Sequence, residues 1–358
     1  MKIYDIYTLA DFYEVLSNNP FKRETIQPIW FRGHEYNHYT LAPSIQRFFC
    51  PEANDVETYS QMTLRESNRY QHFASRATHS MKNDINAKIE WQEVYQHHFG
   101  KTRMMDWSES AHTALSFALI SYLDTQNDAE LVKKRRTATP VVWMLDPHKL
   151  NENTYDFFSG NRNLIRKALK DLQLESFSDQ IYNEMNKRNS KEIYFEYSKD
   201  SSIDGILSLS ALDAYRTANM SRMKQLVENF AFNPFYYLSL RYYIDGVPCI
   251  LNDIKDVLPP LAILQPYHSE RIKQQRGVFT VFPNYILKKT AKTYYELYNY
   301  DIRIMENQPY LQDCLVKLNI INPVQVARDL AHSGERKSEL YPDVDEYVRI
   351  IEAEKLYI

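Results

Sequence analysis

The sequence predicts a mixed α/β (α+β) fold, and three observations predict it. Apolar runs of strand length recur along the chain, at Ile29–Gly33, Val141–Leu145, Leu261–Leu264 and Val278–Phe282. Between them lie segments with helical spacing, clearest at Ala111, Ala114, Leu115, Ala118 and Leu119, which share one face at 3.6 residues per turn. No internal repeat or low-complexity tail interrupts the 358 residues. A sheet packed by helices, with a helical insertion, is the arrangement that buries such faces.

The elements follow in order. Ile3–Tyr7 reads as a strand and Leu9–Leu16 as an amphipathic helix closed by Asn18-Asn19-Pro20, so residues 1–28 form a strand–helix segment. Ile29–Gly33 reads as a strand ending at a glycine turn. Helical patterns cover Val56–Met81 and Trp91–Phe99, and a third helix begins near Asp106 or Ser108, either of which suits an N-cap. After the charged run Lys133–Arg136 comes the buried strand Val141–Leu145, ended by Asp146-Pro147. Residues 148–200 are polar with helical stretches and read as a peripheral insertion, extended to about residue 230 by a helix over Ala211–Phe230. Phe235–Tyr243 is rich in aromatics and should pack heavily. Val324–Ser333 and Val344–Lys355 read as the last helices.

Composition narrows the function classes. The formal net charge is −3, so the chain as a whole is no polyelectrolyte partner for nucleic acid. The longest nearly unbroken apolar stretch, Ala114–Leu123, is too short to span a bilayer, and Met1–Asp5 lacks the pattern of a signal peptide. Cys50, Cys249 and Cys314 form neither a disulfide framework nor a metal knuckle. These features lead to the expectation of a cytoplasmic protein without a membrane partner. Tyrosine is abundant at 28 residues and glycine scarce at 7. So few glycines should stand where backbone geometry leaves no choice.

Two apparent motifs fail. Gly100-Lys101-Thr102 resembles the end of a phosphate-binding P-loop, but the glycine needed five residues earlier is Tyr95. His34 with His38, and His97 with His98, have no third ligand close in sequence, so no metal is expected. Three separated segments remain. They are Trp30–Gly33, followed by Leu41–Ser44 and Arg47; Trp91 and Gln96-His97 with Thr102–Ser108 running into Ala114–Ala118; and Arg271–Thr280. Each sets an arginine beside an apolar run and near a glycine or a helix start. A guanidinium offers a planar fork for phosphate or carboxylate, and a helix starting at Ser108 would add a positive dipole end. Together they describe a pyrophosphate pocket. The same residues also suit a structural role, with Arg103 and Asp106 as a buried ion pair and Arg32 clamping a core carboxylate.

Trp30-Phe31-Arg32-Gly33, Thr102-Arg103-Met104-Met105-Asp106-Trp107-Ser108 and Gln275-Arg276-Gly277-Val278-Phe279-Thr280 resemble the signature of the FRG domain family, named for Phe-Arg-Gly. Leu340–Asp345 resembles its closing leucine-aromatic-proline-aspartate segment, which would extend the domain over residues 29–350. The chain departs from the family at Phe99 and Lys101, where a glycine and a proline are usual. A more distant resemblance is to arginine-type ADP-ribosyltransferases. Phe31-Arg32-Gly33, Trp107-Ser108 through Ala114–Ala118, and Gln275-x-Gly277 stand in the order of that group's three motifs.

This second resemblance implies an ADP-ribosyltransferase-like sheet core and NAD as substrate. It implies catalytic roles for Arg32, Asp106 and Gln275, with Phe31, Gly33, Thr102, Arg103 and Ser108 binding the nucleotide. Arg32 would grip pyrophosphate, Thr102 and Ser108 would line the nicotinamide side, and Gln275 would touch ribose. Gly277 stands where those enzymes carry a glutamate, so the acid would be Asp106 or Glu270. The expected activity is cleavage of, or transfer from, NAD onto a protein or nucleic-acid acceptor, as in a toxin or antiviral effector. Two alternatives stay open. One is a non-catalytic nucleotide sensor or interaction module. The other is a nucleic-acid-binding protein using Lys133–Arg136, Lys167, Lys170, Arg271, Lys273, Arg276 and the tyrosines.

Overall fold

The computed structural model describes residues 1–22, 28–45, 100–123, 129–170, 173–187, 234–247, 249–251, 257–264, 270–287, 304–308 and 311–334. It also describes 66, 68–69, 71–77, 95–96, 207–208, 221, 223, 225 and 340. The chain opens with β1 (Lys2–Ile6) and α1 (Leu9–Ser17). Thr8 and Asp11 start α1 with a reciprocal capping box, the Thr8 hydroxyl accepting from the Asp11 amide at 3.2 Å and the Asp11 carboxylate from the Thr8 amide at 2.9 Å. There follow β2 (Trp30–His34), β3 (Met104–Ser108), α2 (Ala111–Ala118), α3 (Ala129–Thr137) and β4 (Val141–Leu145). Asp146 caps α4 (Pro147–Ser159), with Pro147 in its first turn where no amide is needed. Then come α5 (Arg162–Lys170), α6 (Ser178–Lys187), β5 (Leu207–Ser208) and α7 (Pro234–Ser239), which a π-helical turn over Leu240–Ile244 prolongs. The chain continues through β6 (Cys249–Leu251), β7 (Leu261–Leu264), α8 (Glu270–Gln274), β8 (Gly277–Val281), β9 (Tyr285–Leu287), β10 (Leu315–Ile320) and α9 (Pro323–His332).

Eight strands form one mixed sheet in the order β1-β10-β4-β2-β3-β8-β7-β5, and β6 pairs with β9 apart from it. The interior pairs are antiparallel, while β1–β10 and β5–β7 at the two margins are parallel. Residues opposite one another share a face. Register therefore places Phe31 with Met144 and Ser108, Asp106 with Phe279, and Met104 with Val281 on one side of the sheet. That side carries two apolar clusters. Phe31, Val142, Met144, Val316 and Leu318 pack with α1, α2 and α9 through Phe12, Ala114, Leu115, Val326 and Leu330. Met104, Phe279, Val281, Leu261 and Ile263 pack with α4, α5 and α7 through Tyr155, Phe158, Leu169 and Phe235. Trp30, Trp107, Trp143, Leu145 and Val278 form a third cluster.

Several expectations change here. Gly33 lies inside β2 rather than at a turn. A Cβ on it would stand 1.8 Å from the Ala114 carbonyl oxygen, so the missing side chain admits the backbone of α2. Asp106 and Ser108 belong to β3 and cap no helix. The cap is Ser110, whose side chain accepts from the Thr113 amide at 3.2 Å. The polar stretch after residue 148 is helical, but it is not peripheral. Leu150, Tyr155, Phe158, Ile165 and Leu169 are fully or almost fully buried, because its few apolar residues recur at helical spacing. The aromatic segment packs as expected, with Phe235, Tyr237, Tyr242 and Tyr243 buried.

The helices expected over Val56–Met81, Trp91–Phe99 and Ala211–Phe230 lie largely outside the described residues, though 71–77, Tyr95 and Gln96 are helical. Val344–Lys355, Cys50, Arg47, Trp91, His97 and His98 lie outside them altogether. Among the described residues, no helix is long and apolar enough to cross a membrane.

Candidate functional site

Strands β2 and β3 pair only at Phe31 and Ser108. Beyond that point they part, and a cleft of about 290 Å³ opens between the two helix-covered halves of the sheet. Its walls bring together Phe31, Arg32 and Gly33 from β2, Asp106, Trp107 and Ser108 from β3, Thr113, Ala114 and Phe117 from α2, and Arg271, Ile272, Gln275, Gly277 and Phe279 from the α8–β8 region, with Gln96. Six of the eight residues named from the sequence therefore share one cavity. Thr102 and Arg103 do not line it.

Arg32 alternates onto the opposite face of β2 from Phe31 and Gly33, and its guanidinium works where the strands separate. One Nη donates to the Asp106 carbonyl, and Nε donates to His34 Nε2 at 2.9 Å. His34 Nδ1 stands 3.2 Å from the Tyr39 carbonyl, to which only a protonated Nδ1 can donate. His34 is therefore the neutral Nδ1–H tautomer and serves as an acceptor for arginine. The Asp106 carboxylate lies 4.0 Å from the Arg32 guanidinium, and its side chain is 61% exposed against 18% for Arg32. Gln96 Nε2 donates to Asp106 Oδ1 at 2.5 Å, and the Thr102 hydroxyl donates to Gln96 Oε1. Thr102 thus stands behind the cavity and fixes which end of the Gln96 amide faces Asp106. The Ser108 hydroxyl donates to the Gln275 carbonyl at 2.6 Å and accepts from the Ser110 amide at 2.9 Å. The Gln275 side chain donates to the Leu340 carbonyl at 2.7 Å, so the start of the segment expected to close the domain meets the rim of the cleft.

Arg103 has a different setting. Its side chain is 4% exposed, and Nε lies 2.6 Å from Glu66, whose own side chain is 3% exposed. The Arg103 amide donates to the same carboxylate at 2.9 Å, while the two Nη groups donate to the carbonyls of Phe282 at 3.0 Å and Tyr243 at 3.2 Å. This corrects the expected Arg103–Asp106 pair. The partner is Glu66, and Asp106 points to solvent. Gly246, at φ +70°, lets the chain pass over the guanidinium, since a Cβ there would lie 3.2 Å from Nη2.

The site residues that sequence reasoning missed are Gln96, Thr113, Phe117 and Arg271. Gln96, Phe117 and Arg271 stand inside the segments singled out, but nothing in their spacing shows which way they face. The basic run Lys133–Arg136 lies on α3, where Arg135 Nε donates to the Ser121 carbonyl at 2.7 Å and Lys134 pairs with Glu130 at 3.2 Å. None of it lines the cleft. No cluster of three or more His, Cys, Asp or Glu suited to a metal occurs among the described residues.

Among the described residues, the cleft can therefore offer two guanidinium groups, one carboxylate, amide and hydroxyl groups, and the aromatic faces of Phe31, Phe117 and Phe279. No curated protein and no solved structure shows a significant match to the chain. A comparison with protein families matches residues 27–127 to the FRG domain. The matched stretch carries β2, β3 and α2, with Arg32, Arg103, Asp106 and Ser108, and is similar to the FRG domain.

Proposed function

We propose that the cleft at the parting of β2 and β3 binds NAD or a closely related nucleotide and cleaves, or transfers from, its nicotinamide–ribose bond. One observation carries this reading. Residues far apart in sequence, Arg32, Asp106, Ser108 and Gln275, meet in a single cavity with aromatic walls. At about 290 Å³ the cavity is at the small end of ligand sites, suited to the reactive half of a dinucleotide with the remainder at the mouth.

In this reading Arg32 holds phosphate, and the phenylalanine faces take the flat nicotinamide ring. Asp106 is the single acidic residue among the described lining residues. Held by Gln96, it faces the positive charge that develops on ribose as the glycosidic bond breaks. The bonding pair leaves with nicotinamide, and water or an acceptor nucleophile adds at the anomeric carbon and gives up a proton. Ser108 and Gln275 hold β3 to the start of β8 and so keep the two walls in place.

A second reading, a nucleotide sensor without turnover, is favoured by Gly277, which contributes no carboxylate to the wall. Nicotinamide release, followed by chromatography with and without cell lysate as acceptor, separates them. Turnover by the wild type that is lost in both Arg32→Ala and Asp106→Asn supports the enzyme. Tight NAD binding without release supports the sensor. Absence of binding overturns both.

A further inference from the structure

We infer that Thr102 is a positioning residue for the cleft: its hydroxyl anchors the Gln96 amide, and that amide fixes the carboxylate of Asp106. This role deepens the proposed reaction and rests on it for its effect on turnover, while the linkage itself is observable without a substrate. Thr102 is fully buried and does not line the cleft, whereas Asp106 is the single acid among the described lining residues. The Asp106 side chain is 61% exposed, so water competes for its oxygens.

The donors and acceptors give the linkage one direction. The Met104 amide stands 3.2 Å from Thr102 Oγ1 and can only donate to it. The hydroxyl accepts there, and it gives its own proton to Gln96 Oε1. With Oε1 held on the buried side, Nε2 is turned outward and donates to Asp106 Oδ1 at 2.5 Å. A glutamine side chain left to itself gives up this bond readily, because holding it in one rotamer costs entropy. The buried hydroxyl supplies the fixed point that keeps Nε2 on the carboxylate. The backbone of Thr102 has separate work. Its amide donates to the Ser44 hydroxyl and its carbonyl accepts from the Ile45 amide, each at 3.2 Å. Those bonds survive a change of side chain, so the loop contact and the positioning role can be separated by substitution.

The test follows the Gln96 side-chain amide by NMR in the full chain carrying isotope-labelled glutamine, each variant being measured below its melting temperature. The resonance is identified by its loss in Gln96→Met. Asp106→Asn should move it in the wild type, because Nε2 loses a charged acceptor. In Thr102→Val the same replacement should move it much less, and in Thr102→Ser, which keeps the hydroxyl, by about as much as in the wild type. Nicotinamide release from NAD should fall about tenfold or more in kcat in Thr102→Val, with KM little changed and recovery in Thr102→Ser. Gln96→Met should lose as much, and the double variant with Thr102→Val no more than either. A resonance that responds to Asp106→Asn equally with and without the Thr102 hydroxyl would overturn the role of Thr102. So would equal losses of turnover in Thr102→Val and Thr102→Ser. A Thr102-dependent response in a wild type that releases no nicotinamide would uphold the linkage and reject the proposed reaction.

Discussion

Arg32 and Arg103 carry the same charge and stand at opposite extremes of environment. Arg103 is sealed against Glu66 and two backbone carbonyls, with both side chains almost wholly out of solvent. Arg32 lies at an opening between strands, bonded to a neutral histidine and to one carbonyl, with an exposed carboxylate nearby. Burial turns the first into a fold determinant, because its charge has nowhere to go if the partner is removed. Partial exposure and a cavity leave the second able to meet a ligand. The lesson is that a motif need not be one site. Thr102-Arg103 and Asp106-Trp107-Ser108 are adjacent in sequence and divide the work between core and cleft.

The largest expected effect tests the deep side. Arg103→Met leaves Glu66 buried without its cation and should cost about 3–5 kcal/mol in urea unfolding, while adding Glu66→Leu should restore much of it. A loss below about 1 kcal/mol for the single variant would remove the distinction between the two arginines. Next comes Gly33→Ala, expected to cost about 1–3 kcal/mol or more, since the new methyl meets the backbone of α2. Gly277→Ala should cost less. Its Cβ would stand 2.9 Å from Cγ2 of Ile272, a side-chain atom with room to shift. Equal losses at the two glycines would contradict the close helix approach.

Arg32→Ala should change stability by only about 0.5–1.5 kcal/mol while removing nucleotide binding. The smallest effect at neutral pH belongs to Cys249, whose thiol is pushed up to about 12 by burial. The folded state then keeps a proton that the unfolded chain releases near pH 9, so stability falls as pH rises from about 9 toward 12 and is unaffected below that range. Urea midpoints of wild type and Cys249→Ala at pH 8 and 10.5 check the sign.

Much of this arrangement was legible in the sequence where a pattern had one physical meaning. Val141–Leu145 is a buried central strand, and the alanines of α2 mark a face packed close to the sheet. Residues from all three arginine-bearing segments line one cleft, although Thr102 and Arg103 do not. What stayed hidden depended on tertiary partners. Asp106 and Ser108 both suit the start of a helix, because both residue types cap helices. Pairing of Met104–Ser108 with β8 drew them into a strand and left Ser110 as the cap. Arg103 and Asp106 lie three apart, which on a helix would bring them together. On a strand that spacing turns them to opposite sides, and Glu66, distant in sequence, takes the arginine. Strand β10 gives a weak sequence signal because its alternating Leu-Val-Lys-Leu-Asn-Ile pattern is short, although it joins β1 to β4 in the sheet.

One titration distinguishes Arg32, at the parting of β2 and β3, as a ligand-binding residue from Arg103 as a residue of the core. ADP-ribose is titrated into wild type and Arg32→Ala at a temperature well below both melting transitions. The expected result is binding by the wild type, loss of binding by the variant, and melting temperatures within a few degrees of each other. Retained binding by Arg32→Ala, or a collapse of its fold comparable to that of Arg103→Met, would contradict it.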